Sequence, residues 1–192
     1  MPQTVRTFIA IESTAAVQKR AANLIERLKA AQADVKWVAP ENMHITVQFL
    51  GDVQAEQLPE VIARVERAAA KFAPFELQMQ GAGAFPNTAR PRTVFLGARG
   101  GNEQAATLAK EIGRPLAELG FKPEHRDFHA HLTLGRVRGF GRGLKPLSEL
   151  LEREKEFVAG SIAVEELVVF SSTLTPKGSI YEALGRARLS GG

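Results

Sequence analysis

The sequence predicts an α+β fold of two lobes facing each other across a cleft, and three observations carry that prediction. Strand and helix patterns alternate from the N-terminus as far as Gly120. Paired strand patterns joined by turn residues, as at Phe75–Phe85 and Arg92–Gly97, mark hairpins. A four-residue pattern, His-apolar-Thr-apolar, occurs at 44–47 and returns at 131–134, each copy preceded by a helix and a loop.

The elements follow in order. Arg6–Glu12 reads as a buried strand, and Ser13-Thr14 caps a helix over about residues 15–31, with Val17, Ala21, Leu24, Ile25 and Leu28 at helical spacing. Pro40-Glu41-Asn42 turns the chain into a strand from His44 to Leu50, closed by Gly51-Asp52, and a helix follows over about 54–71. After the hairpin, Gly100-Gly101-Asn102 leads to a helix over about 103–119 that stops at Gly120. A strand then runs from His129 to Val137, followed by a short helix near 148–155. Two more strands, Ile162–Phe170 and Ile180–Leu189, are joined across Thr175-Pro176-Lys177-Gly178.

The chain has 192 residues, 44% of them apolar, which suits one large domain or two small, closely packed lobes with a real core. No Ser/Gly/Pro-rich linker divides it, so residues 1–192 are expected to form a single bilobal domain. No apolar run is long enough for a membrane span and no signal-peptide core opens the chain, so a soluble, cytoplasmic protein without a membrane partner is expected. There is no cysteine, which excludes disulfides, zinc-thiolate sites, iron–sulfur clusters and thiol nucleophiles. The net charge of +4 favours an anionic partner only weakly. The concentration of basic residues from Arg114 to Lys145, which surrounds the second motif, points the same way more specifically.

Alternation places His44 and Thr46 on one face of their strand, with Ile45 and Val47 on the other; His131 and Thr133 repeat the arrangement. Two imidazoles flanking one phosphorus suit metal-free phosphodiester cleavage, one taking a proton from the attacking water and the other giving one to the leaving oxygen. Histidine ionises near neutral pH, so one ring can be neutral while the other is charged. The threonine hydroxyls can hydrogen-bond the non-bridging oxygens. A single His-x-Thr is ordinarily a β-favouring tripeptide; two copies in a chain of four histidines make the functional reading the better one.

These residues resemble the two-histidine (2H) phosphoesterase superfamily, and within it the RNA 2′,3′-cyclic phosphodiesterases once called 2′-5′ RNA ligases. The likeness takes in Arg6-Thr7-Phe8-Ile9-Ala10, Trp37-Val38, Pro40 through Thr46, Phe49-Leu50-Gly51, and Arg90-Pro91-Arg92. It continues through Phe128, His131 through Arg136, Ser172-Thr173-Leu174, Gly178 and Tyr181. The resemblance implies antiparallel sheets lining the cleft with helices outside, and hydrolysis of a 2′,3′-cyclic phosphate on RNA to a 2′-phosphate, with reversible 2′-5′ ligation as a weaker activity. It implies His44 as proton donor to the leaving 3′ oxygen and His131 as proton acceptor from water. It also implies Arg136 as a phosphate ligand and Phe49 as a base-stacking platform, although strict alternation puts Phe49 opposite His44 unless the strand bulges. No cofactor and no metal are expected, the partner is RNA with a cyclic phosphate or 2′-5′ linkage, and the protein is expected to be a monomer.

Other readings stay open on sequence. His129 shares parity with His131, so His129-x-His131 with Asp127 could chelate a metal, but that leaves His44-x-Thr46 unexplained. The same fold could serve as a non-catalytic RNA-binding module, or act on a small cyclic nucleotide, ADP-ribose 1″,2″-cyclic phosphate or a 2′-5′ oligonucleotide. His125, beside Arg126 and Asp127, reads as a solvated loop histidine, and Arg90 and Arg92 as RNA contacts or structural ion pairs.

Overall fold

A computed structural model describes residues 3–122, 127–139, 141–176 and 178–191. The chain opens with β1 (Thr4–Glu12) and α1 (Ala15–Lys29). The Thr14 hydroxyl accepts from the Val17 N–H at 3.3 Å, capping α1, and the five predicted apolar positions of that helix are all buried. A three-residue edge strand, β2 (Val35–Trp37), follows; it is too short to leave a period in the sequence and is not anticipated there. Pro40–Asn42 forms a single 3-10 turn into β3 (His44–Gln54).

β3 does not close at Gly51-Asp52. Gly51 adopts a φ of 73°, which a glycine tolerates, and remains paired with Thr7 of β1, so the turn signal is used to bend a strand that continues. A 3-10 turn at Ala55–Gln57 then delays α2 to Leu58–Ala69, shorter than the period predicts, with Pro59 in its first turn. β4 (Phe75–Phe85) and β5 (Thr93–Gly100) form the expected antiparallel hairpin, and α3 (Asn102–Ala117) follows. β6 starts at His131 and ends at Val137, so His129 lies outside the strand and the parity assigned to it does not hold.

α4 (Leu144–Arg153) begins earlier than predicted. The apolar run Ile162–Phe170 is not one strand but parts of two, β7 (Val158–Val164) and β8 (Glu166–Thr175). β7 pairs with β4 and β8 pairs with β1, so the chain leaves one sheet for the other at Glu165, where the pair Glu165-Glu166 interrupts the apolar residues. β9 (Gly178–Arg188) completes the β8–β9 hairpin.

The two antiparallel sheets have the orders β3-β1-β8-β9 and β2-β6-β5-β4-β7. With β2 set aside, the orders match strand for strand: β3 with β6, β1 with β5, β8 with β4, β9 with β7. In each half a helix lies between the histidine-bearing strand and its sheet neighbour, α1 between β1 and β3 and α3 between β5 and β6. These helices cross over: α1 packs on β7 and α4 behind the second sheet, while α3 packs on α2 and β3 behind the first. The buried core runs along both helix–sheet interfaces, and β3 and β6 meet where the sheets face each other. Among the described residues no helix is long and apolar enough to cross a membrane.

Candidate active site

His44 and His131 open β3 and β6, the equivalent strands of the two halves, and both are anchored the same way. His44 Nδ1 lies 2.9 Å from the Asn42 carbonyl oxygen, and His131 Nδ1 lies 2.7 Å from that of His129. A carbonyl only accepts, so each Nδ1 carries a proton and each Nε2 is the working nitrogen. His44 Nε2 is 3.1 Å from Thr46 Oγ1, accepting from the hydroxyl when neutral and donating to it when charged.

Aromatic rings wall both imidazoles. Phe8 lies 4.8 Å from the His44 ring and the single tyrosine, Tyr181, meets it edge-on at 5.2 Å. Phe85 and Phe95 meet His131 at 5.0 and 5.5 Å, also edge-on. Sequence reasoning assigned these four aromatics no role. The signal available to it was strand parity, since each sits on a β-strand with its ring turned to the face that carries a histidine.

Burial is the largest influence on both rings and holds each pKa below the ordinary 6.5; the anchoring carbonyls oppose it by favouring the charged form. A charge on His131 further disfavours protonation of His44, so the two imidazoles share one electrostatic environment. Arg136 and His129 depress His131 in the same sense.

A bulge follows the threonine in each copy of the motif. In β3 the pairing passes from Ile9–Gln48 to Ala10–Thr46, making Val47 the extra residue, and Val47 and Gln48 are buried in succession. Phe49 thereby returns to the face of His44 and Thr46; it is 59% exposed, with its ring 5.9 Å from Phe8. In β6 the pairing passes from Val94–Gly135 to Phe95–Thr133, making Leu134 the extra residue. Arg136 is thereby turned to the face of His131, exposed, with Nη1 donating to Thr93 Oγ1 at 3.3 Å. Phe49 and Arg136 occupy the same place in the two halves, three residues beyond Thr46 and Thr133. The six residues singled out from sequence thus share the histidine-bearing faces of β3 and β6, two strands that lie in contact.

The peripheral candidates fare differently. The His129 side chain is exposed; its backbone carbonyl is what serves His131. Asp127 does not complete a chelate with the two histidines: among the described residues no three His, Asp or Glu side chains come together as a metal site. Arg90 is exposed in a turn, its backbone N–H donating to Asn87 Oδ1 at 3.0 Å. His125 and Arg126 lie outside the described residues.

A family model described as LigT-like phosphoesterase matches the chain twice in succession, over residues 11–95 and 96–181, with one His-x-Thr motif in each match. A protein of Methanothermobacter thermautotrophicus named RNA 2′,3′-cyclic phosphodiesterase is 36% identical over 185 residues, covering 96% of this chain and 99% of that protein. One of the same name from Aquifex aeolicus is 34% identical over 194 residues, covering 98% and 100%. Among solved structures, TT0787 of Thermus thermophilus superposes with a TM-score of 0.80 at 27% identity, covering 97% of this chain and 98% of that one.

Proposed function

Because the chain belongs to the LigT-like phosphoesterase family, we propose that it is an RNA 2′,3′-cyclic phosphodiesterase that opens the cyclic phosphate to a 2′-phosphate, using His44 and His131 as acid and base. The observation that carries the reading is the matched anchoring of the two imidazoles, each held by Nδ1 to a carbonyl two residues back, which leaves Nε2 as the nitrogen for proton transfer.

In the reaction, His131 Nε2 takes a proton from water as its oxygen bonds to phosphorus. The bond from phosphorus to the ribose 3′ oxygen breaks, and that oxygen receives the proton carried by His44 Nε2. Charge building on the non-bridging oxygens is met by the Thr46 and Thr133 hydroxyls and by the Arg136 guanidinium. Phe49 supplies a flat surface for the terminal base. Replacing water by a 5′-hydroxyl end and running the same steps forms a 2′-5′ linkage, which accounts for ligation as a minor activity of the same site. The chain works as one bilobal domain, because helices from one half back the sheet of the other, and as a cytoplasmic monomer needing neither metal nor cofactor.

The test incubates RNA ending in a 2′,3′-cyclic phosphate with purified protein and EDTA and identifies the product end. A 2′-phosphate is expected, with turnover abolished in His44→Ala and His131→Ala variants that retain the fold. A 3′-phosphate would refute the assignment of leaving oxygen, and absence of turnover would refute the substrate class.

A further inference from the structure

We infer that Lys36 forms a subsite for the backbone phosphate that joins the terminal nucleotide of an RNA substrate to the one before it, making the protein a reader of chain ends rather than of free cyclic nucleotides. The inference rests on the proposed function and extends its substrate by one phosphodiester.

Its basis is the register of the second sheet. Lys36 of β2 is paired directly with Arg136 of β6, which is itself paired with Thr93 of β5, so the three side chains form a row on the cleft face. The face is fixed by β2 itself. A Cβ on Gly135 would lie 2.6 Å from Val35 Cγ1 and 2.8 Å from Trp37 Cε3, so the neighbours of Lys36 occupy the opposite side, over the glycine. Lys36 is exposed, and among the described residues neither it nor Arg136 has a carboxylate partner. Two cations directly opposed on adjacent strands destabilise a sheet; an anion held beside them relieves the repulsion.

Position decides which anion. Arg136 follows His131 and Thr133 along β6 and is placed for the reacting phosphate. Lys36 lies one strand farther out, about 4.8 Å away, on the open edge of the sheet. An RNA leaving the cleft over that edge brings its next phosphate past the ammonium, whereas a cyclic mononucleotide has none to offer.

Binding of product-like ligands tests this without relying on turnover. The affinities of a dinucleotide ending in a 2′-phosphate and of a nucleoside 2′-phosphate are measured by calorimetry at low salt for the wild type, Lys36→Ala and Lys36→Arg. The wild type is expected to prefer the dinucleotide, Lys36→Ala to lose about fivefold of that preference, and Lys36→Arg to keep it. An unchanged preference in Lys36→Ala, or equal weakening of both ligands, would overturn the subsite. A Lys36-dependent preference in a protein that fails to hydrolyse cyclic-phosphate RNA would support the subsite while overturning the proposed reaction.

Discussion

Replacing Phe49 by alanine separates a substrate platform from an ordinary core aromatic, because the two roles predict opposite effects on stability and on binding. Phe49 is 59% exposed, whereas Phe8 beneath it is 3% exposed. Truncating a buried phenylalanine costs about 3–5 kcal/mol, so Phe8→Ala is expected to destabilise in that range. More than half of Phe49 is already in water, which limits the loss for Phe49→Ala to about 1–2 kcal/mol. Stacking of a base on an aromatic ring contributes about 1–3 kcal/mol, so the same change should weaken nucleotide binding roughly 5- to 150-fold. Calorimetric titration with a nucleoside 2′-phosphate gives the affinity, and thermal unfolding gives the stability. Phe49→Trp should retain binding because it keeps the flat surface. The reasoning fails if Phe49→Ala destabilises as much as Phe8→Ala while affinity is unchanged.

The pH dependence of kcat/KM should be bell-shaped with its maximum below 6.5, because burial lowers both histidines of the free protein from that value. The kcat profile should lie at higher pH, since bound phosphate favours the charged rings; coincident profiles would count against this. For folding the sign is fixed: the unfolded chain binds more protons at these two positions, so their contribution to stability is full above pH 6.5 and declines as pH falls from there toward the lowered folded values. Unfolding measured at a series of pH values in His44→Gln should show a weaker decline than the wild type. Thr46→Val should lower kcat about a hundredfold with little change in KM, as steady-state rates will show. In Gly83→Ala the new Cβ would sit 2.6 Å from Phe95 Cζ and displace the ring that packs on His131, for a loss of about 1–3 kcal/mol in thermal unfolding together with a lower kcat.

The two motifs are legible in sequence because period-two alternation is a local property of a strand, and His44, Thr46, His131 and Thr133 fall where it places them. Phe49 is not legible by that rule. The extra residue Val47 exists only in the pairing of β3 with β1, as Leu134 does in the pairing of β6 with β5. A bulge is a relation between two strands, and a single segment carries at most a hint of it, such as Gly51. The Ile162–Phe170 segment failed differently: Glu165-Glu166 marks the break locally, and the partner strands show that the residues on either side of it belong to different sheets. β2 has no period of its own; its place is set by Val35 and Trp37 packing over Gly135.

The near-symmetry of the halves raises a chemical question, since two equivalent histidines cannot by themselves choose between the 2′ and 3′ oxygens of one ribose. The choice must come from where the halves differ, and one such difference is Phe49 in the place that Arg136 takes in the other half. If a base stacks on Phe49, the nucleoside is held against the lobe of His44 in one orientation, and the ribose oxygen turned toward that imidazole is the one that leaves. A phosphate held by Arg136 would lie toward the other lobe, where burial, and after it the charge of Arg136, lowers the pKa of His131 and favours the neutral ring that accepts a proton. Nucleoside on one side and phosphate on the other leaves His131 facing the incoming water. On this argument the order of acid and base is not a property of the histidines, whose anchoring is alike, but of the residue three positions beyond each threonine. Removing Phe49 should therefore erode the ratio of 2′- to 3′-phosphate product as well as affinity, and a ratio that survives Phe49→Ala unchanged would move the source of the choice elsewhere in the cleft.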